Sequence, residues 1–554
     1  MLPEVPWSGV EELLSKETID RKVFSKFQRF SADDGKSLNV VVVRSMPFEP
    51  LEPMINGFLS LSSVTANYTY SGYDPAFSEI EDLVSPQTDL VIFWIDWRLY
   101  SKGATYLEDW IVACTKRVQV RGQGVPILVN GWLERSERHL DINNVLSKVA
   151  EISPGTIFFN FKLSEKEALN ERLEKLSGFP FSNRFCLNAA RYLGCEIFPA
   201  LAGVQVKAVI LDLDNTLYSG VLGEDGPSRL EFSEAHRALW AKLRSLHDQG
   251  IVLSICSKNE QQDVDQFFRY WAESLPLRPS DFFMIEANWK QKSENVGEIL
   301  RALNVGQDAV LFVDDNPNEL LEVNSVWPNL KVLRASADAA ITLSHLSFYP
   351  GFYRLVNDQA LSVRLEDLKA NRIRSELESN AVSKERYLAM LGMTLTVYKN
   401  HFKHLDRVFE LANKTNQFNT ALTRPSLEKV NRLFSEQFVF SFHLKDAFSD
   451  SGVVGAFLLE VNEGEPKVLD VFFSCRALGR GIEFIALREV LSCLEAYGYE
   501  VISIDLNDGP KNMPARKWLG ELNVDAGSSV ELAVLVQRVK FLCESLPVTV
   551  IKEF

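Results

Sequence analysis

Six side chains in four short strings could together carry out phosphoryl transfer. Asp212 and Asp214 lie in Leu211–Gly220 (LDLDNTLYSG), Ser257 in CSKNE, Lys292 in NWKQK, and Asp314 with Asp315 in DDNPNE. A phosphoryl group has to be held, neutralised and attacked in line. Ser257 can donate a hydrogen bond to a phosphate oxygen, and Lys292 can offset its charge. Mg²⁺ prefers hard oxygen ligands, and Asp212, Asp314 and Asp315, with Asp214 through its backbone carbonyl, form the metal-ligating set. Asp212 would then attack phosphorus as the nucleophile. Asp214 would protonate the leaving oxygen and afterwards activate water.

These residues need one sheet edge to bring them together. Apolar runs at Lys207–Leu211, Val252–Cys256, Phe282–Ile285 and Ala309–Val313 read as buried parallel strands. Each string follows one of these runs, and α/β proteins bind ligands at that edge. Ser233–Asp248, Lys292–Leu303 and Leu320–Ser325 read as helices between them. The gaps from Asp212 to Ser257 and from Ser257 to Lys292 are 45 and 35 positions, too short for a separate cap domain. The site is therefore expected to be open to a phosphoryl group presented by something large, or, for a small substrate, covered by another domain of the same chain.

Upstream, Leu38–Val43, Leu90–Trp94, Val125–Val129 and Thr156–Phe159 read as strands of a doubly wound sheet. Downstream, Met393–Tyr398, Val439–Leu444, Gly455–Val461 and Val468–Phe473 alternate like strands, with helices at Lys403–Asn413 and Gly481–Tyr497, so a mixed α+β domain is expected. The domain reading is an N-terminal extension over 1–36, α/β domains over 37–205 and 206–360, a solvated helical linker over 361–384, and the α+β domain over 385–554.

Composition limits the function classes. At 554 residues more than one domain is expected, and a formal net charge of -15 argues against nonspecific nucleic-acid binding. No apolar run is long enough to span a membrane, and the N-terminus lacks the pattern of a secretory signal. Seven scattered cysteines fit a reduced, cytoplasmic setting, and the seven histidines form no zinc-binding motif.

The four strings, in this order and each after an apolar strand, resemble the motifs of the haloacid dehalogenase (HAD) superfamily of phosphotransferases. In the last domain, Arg476, Gly479 and Gly481 in CRALGRG resemble the pyrophosphate loop of GNAT-type acetyltransferases, in which glycines admit the phosphates and a helix N-terminus faces them. Asn512 and Ala515 in KNMPARKW resemble that fold's second motif. Cys475, beside Arg476 and near a helix start, is placed to be a thiolate, with a packed core cysteine as the alternative.

LDLDNTLYSGVLGEDG, CSKNE, NWKQK, FVDDNP, KTNQFN, DAFSDSGVVG and SCRALGRG together resemble the FkbH-like family of glyceryl transferase/phosphatases. The resemblance runs from about residue 37 to 525 and is densest in the last two domains. It implies dephosphorylation of D-1,3-bisphosphoglycerate and loading of the glyceryl unit, through an enzyme cysteine matched by Cys475, onto a phosphopantetheinylated acyl carrier protein. Asn416, Gln417 and Asn419 would orient the acyl or pantetheine group, or form a hydrogen-bonded turn. Asp446 and Asp450 would be a base near the thiol, or turn formers, and His443 a structural residue. Arg476, Arg480, Lys511 and Arg516 would offer a basic patch to an acidic carrier. Departures include Tyr218 where the family often has Trp, and DDNPNEL without the usual arginine.

Ser45, just after LNVVVVR, and Asp96, after LVIFWI, give the first α/β domain a resemblance to SGNH-type esterases. No Asp-x-x-His pair follows before residue 206, so covering or docking is the expected role. The expected fold is thus α/β and multidomain: an SGNH-like doubly wound domain, a HAD-like Rossmannoid domain without a large cap, and a GNAT-like α+β domain. Two other functions stay open. One is an Mg²⁺-dependent phosphatase of a small metabolite with a non-catalytic GNAT-like domain. The other is a non-catalytic carrier-docking protein.

Overall fold

The computed structural model describes residues 7–554 except 16–23, 25–35, 74–75, 100–104, 123–124, 134–138, 153–155, 162, 304, 355–369, 371–373, 375–376, 378–380, 382, 416, 463, 475–476, 508, 510–511 and 525–526. The chain is a mixed α/β protein of two compact units, Met1–Arg301 with Val305–Asn357, and Ala302–Asn304 with Asp358–Phe554. The charged stretch 361–384 lies mostly outside the described residues. No helix among the described residues is long and apolar enough to cross a membrane.

The first unit holds two parallel sheets. One contains β1 (Lys36–Arg44), β2 (Val64–Tyr70), β3 (Leu90–Trp94), β4 (Ile127–Leu133) and β5 (Ile157–Phe161), in the order β2-β1-β3-β4-β5. All its pairings are parallel, as a doubly wound sheet requires. The edge strand β2 (VTANYTY) alternates polar and aromatic residues, so it lacks the continuous apolar signal of its neighbours.

The second sheet contains β6 (Ala208–Leu211), β7 (Val252–Ser257), β8 (Phe282–Ala287), β9 (Val310–Asp314) and β10 (Lys331–Arg334), in the order β10-β9-β6-β7-β8, all parallel. Every residue of β6, β7 and β9 is buried, which explains their near-continuous apolar character. The chain leaves β6 toward β7 on one side and later returns as β9 on the other, so the end of β6 is the topological switch point. Between Asp212 and β7 lie only tight turns, the short helix Leu222–Asp225 and the helix Glu234–Asp248. Ser233 caps that second helix through its hydroxyl, which accepts from the His236 amide. No domain is inserted here or between Ser257 and Lys292. One apolar core, including Val42, Phe93, Phe185, Leu211, Trp240 and Leu346, runs through both sheets of this unit.

The second unit is built on an eight-stranded mixed sheet. Its strands are β11 (Met393–Lys399), β12 (Phe418–Asn419), β13 (Phe438–Lys445), β14 (Asp450–Asn462), β15 (Glu465–Phe473), β16 (Val501–Ile504), β17 (Ser529–Glu531) and β18 (Val548–Glu553). The main order is β17-β16-β15-β14-β13-β11-β18, and β12 pairs with β15. Both faces are covered. Phe457 on β14 joins the core beneath helix Ile482–Ala496, whereas its neighbours Ala456 and Leu458 join the core beneath helices Leu405–Lys414 and Leu427–Glu436. This is the two-residue period of a strand buried on both sides.

Candidate functional site

Three strand ends and one helix start meet at the carboxyl edge of the second sheet. Asp212 follows β6 directly and its amide donates to the Val313 carbonyl (2.9 Å), which fixes it beside the end of β9. Asp314 ends β9, Ser257 ends β7, and Lys292 opens helix Lys292–Leu303. The Lys292 ammonium lies 2.8 Å from Asp212 Oδ1 and 2.6 Å from Asp314 Oδ2, with all three side chains buried. Asp212, Asp314 and Asp315 each offer a carboxylate oxygen within 4.8 Å of the others.

The electrostatics follow from this crowding. Burial pushes Asp212 up from the ordinary carboxylate value, against the pull of Lys292 and with a contribution from Asp214. Burial, then Asp212, pushes Asp314 up to about 7, and the same causes raise Asp315. Burial alone would lower Lys292, but Asp212 and Asp314 outweigh it and hold the ammonium above its ordinary value. Three crowded acids sharing one lysine fit a divalent cation, whose charge would let all of them ionise, and hard carboxylate oxygens are the ligands Mg²⁺ takes.

Asp214 is placed differently from the other acids. It sits in the turn after β6, where Asn215 takes a left-handed conformation (φ 52°) and its side chain accepts from the Gly220 amide. Asp214 Oδ1 accepts from the Tyr218 hydroxyl (2.7 Å) and the Leu222 amide (3.0 Å), and Oδ2 from Asn259 Nδ2 (2.9 Å). Its carboxylate stands outside the three-acid group, so any share in metal binding falls to its backbone carbonyl. Asn259 also donates to Ser257 Oγ (3.1 Å) and so ties Ser257 to Asp214. Neither Tyr218 nor Asn259 is singled out for chemistry by the sequence.

In the second unit the structure separates the expected residues. Cys475, Arg476, Asn416 and Lys511 lie outside the described residues. Gly479 and Gly481 have φ of +83° and +73°, a region that favours glycine, and a Cβ on Gly481 would stand 2.7 Å from Leu546 Cδ1. Gly481 is also the N-cap of helix Ile482–Ala496. Gln417 is exposed. Asn419 and Asn512 are fully buried and committed to the fold. Asn419 Oδ1 accepts from the Leu422 amide (2.7 Å), and Asn512 Nδ2 donates to the carbonyls of Asn419 (3.1 Å) and Asn507 (2.8 Å).

Of the two readings of Asp446, base or turn former, the contacts fit the second, and the reading of Arg480 as a surface residue needs correction. Asp446 is not a free base. It accepts from the amides of Phe448 and Ser449 and is paired with Arg374 (2.7 Å) and Arg480 (2.8 Å). Burial would raise it, but Arg374, the Phe448 amide and Arg480 hold it below the ordinary value. Arg480 is buried in that pair and therefore contributes nothing to a surface basic patch. Asp450 pairs with His443 Nε2 (2.5 Å), consistent with a structural histidine. In the first unit, Ser45 Oγ accepts from the Asp96 amide (2.8 Å), while the Asp96 carboxylate pairs with Arg98 (2.7 Å). Neither contact forms a nucleophile–base arrangement.

Among solved structures, the chain is similar to the N-terminal part of the protein BF1531 from Bacteroides fragilis, which contains a phosphatase domain and was crystallised with Mg. The TM-score is 0.50 at 20% identity, over 61% of this chain and all of that one, a larger share than residues 206–360 alone supply. This likeness supports the fold. An N-acetylglutamate synthase from Neisseria gonorrhoeae, complexed with coenzyme A and N-acetyl-glutamate, aligns over 90% of each chain at 10% identity, but at a TM-score of 0.18 nothing rests on it. No protein-family model matches the chain, and no curated protein matches it.

Proposed function

We propose that the first unit is an Mg²⁺-dependent phosphatase and that the second passes an acyl group to a carrier thiol. The observation that carries the phosphatase reading is the trio Asp212, Asp314 and Asp315, with Lys292 between the first two, at the switch point of a parallel sheet. When bound, Mg²⁺ supplies charge neutralisation at the phosphoryl oxygens. Asp212 attacks phosphorus: its carboxylate oxygen bonds to phosphorus as the bond to the leaving oxygen breaks, and Asp214 gives that oxygen a proton. Water then attacks the aspartyl-phosphate, returns its proton to Asp214, and frees Asp212 and inorganic phosphate. Ser257 accepts from Asn259, which leaves its own proton to donate to a phosphoryl oxygen. Tyr218, the Leu222 amide and Asn259 hold Asp214 in one orientation throughout.

The resemblance to glyceryl transferase/phosphatases motivates the finer reading. The substrate is D-1,3-bisphosphoglycerate. The Cys475 thiolate attacks its acyl-phosphate carbonyl with phosphate as leaving group, and the thioester passes to the phosphopantetheine thiol of an acyl carrier protein. The setting is cytoplasmic. An acyl phosphate is already activated, so no ATP is needed. One observation favours a plainer second reading, a phosphatase with a non-catalytic second unit: Asn419, Asn512 and Asp446 are all committed to contacts within the fold. Incubation with 1,3-bisphosphoglycerate, Mg²⁺ and carrier protein, followed by intact-protein mass spectrometry, separates the two. A glyceryl adduct on enzyme and carrier that disappears in Cys475→Ala supports transfer. An enzyme adduct that survives Cys475→Ala contradicts the thiol assignment, and no adduct on any carrier leaves the plain phosphatase.

A further inference from the structure

The phosphatase site has no inserted cap, yet it is not bare. Helix Ser8–Leu14 places Val10, Leu13 and Leu14 at the i, i+3, i+4 spacing of one face, and that face is buried in the core of the first unit. The helix packs on helix Ala339–Phe348, and Ser15 Oγ lies 2.6 Å from His345 Nε2. The other face looks onto a cleft of about 570 Å³, lined by Glu11, Ser15, Asn215, Asp315, Arg334 and His345 among others. Asp315 belongs to the three-acid group, so the cleft borders the site at that residue. Its volume suits a small metabolite.

Arg334 has the position of a specificity residue. It ends β10 and is paired in register with Asp314, one strand away from the site. Its guanidinium is partly exposed and stands 3.8 Å from Glu11, a long pair between two half-exposed groups that contributes little. The rest of the lining is mostly neutral hydrogen-bonding groups, including His345, whose Nδ1 is buried without a partner.

We propose that helix Ser8–Leu14 caps the phosphatase site, and that the cleft takes the leaving group of a small phosphorylated compound whose second anionic group replaces Glu11 on Arg334. Guanidinium pairs with carboxylate or phosphate in a two-pronged geometry that the long Glu11 contact lacks. A helix in that place would disfavour phosphate esters carried on a protein surface. The inference rests on the phosphatase reading of Asp212.

The test uses the full chain with Mg²⁺ and three substrates: p-nitrophenyl phosphate, phosphoglycolate and a phosphoserine peptide. Arg334→Gln is expected to raise KM for phosphoglycolate about tenfold or more with kcat little changed, and to leave KM for p-nitrophenyl phosphate unaltered. Arg334→Lys restores part of the loss. Glu11→Gln, which removes the competing carboxylate, lowers KM for phosphoglycolate, a change that a merely structural Glu11 would not produce. An unaltered KM ratio in both Arg334→Gln and Glu11→Gln, or turnover of the peptide as fast as phosphoglycolate, overturns the cap while leaving the phosphatase standing. Absence of p-nitrophenyl phosphate turnover in the wild type overturns the phosphatase reading, and the cap with it.

Discussion

Lys292 is the residue on which the local charge balance turns. It touches Asp212 and Asp314 at once in a buried setting, so removing it leaves two carboxylates facing each other without a cation. Lys292→Met is therefore expected to destabilise the protein in EDTA by about 3–5 kcal/mol, the range for breaking a buried pair. Added Mg²⁺ should recover much of that by binding the native acids. Urea melts with and without Mg²⁺ measure both effects, and an unchanged midpoint in EDTA would show the pair to be unimportant. Asp212, Ser257, Lys292 and Asp314 were legible in sequence because each follows an apolar run and carries a side chain rarely buried without purpose. Tyr218 and Asn259 were not, because their contacts to Asp214 depend on how the turn after β6 closes. Asn419 and Asn512 misled in the other direction: an amide-rich string has the same composition whether it faces a ligand or its own backbone.

At the scale of elements, the strands that build the site were legible because parallel strands buried on both faces leave a continuous apolar record. β2 and β10 escaped for different reasons: β2 alternates at an edge, and β10 buries only Val332 and Leu333 between a lysine and an arginine. Helix Ser8–Leu14 escaped because seven residues carry too little periodicity to stand apart from an extension. Its packing makes a pH prediction. His345 is buried beneath it, and burial lowers the imidazole from 6.5 to about 4. Between those values the unfolded chain binds a proton that the folded chain does not. Stability is therefore complete above about pH 6.5 and falls as pH drops toward 4. Relative to His345→Gln, the wild type should lose up to about 3 kcal/mol more across that window. Denaturant melts at pH 7 and pH 4.5 read the difference, and parallel losses in the two proteins would contradict it.

For the molecule as a whole, the division into two compact units places the acid cluster in one and the Cys475 loop sequence in the other. On the proposed reading, phosphate hydrolysis belongs to residues of the first unit alone. Cys475→Ala should hydrolyse p-nitrophenyl phosphate as the wild type does, even where it forms no acyl adduct. The most direct measurement is Mg²⁺-dependent phosphate release by the full chain, comparing the wild type with Asp212→Asn, which keeps the shape of the side chain and removes the nucleophile. The predicted result is wild-type release that stops in EDTA, and a loss of about a thousandfold or more in Asp212→Asn with the fold kept, since Lys292 still pairs with Asp314. Phosphate release by Asp212→Asn at the wild-type rate would contradict the account.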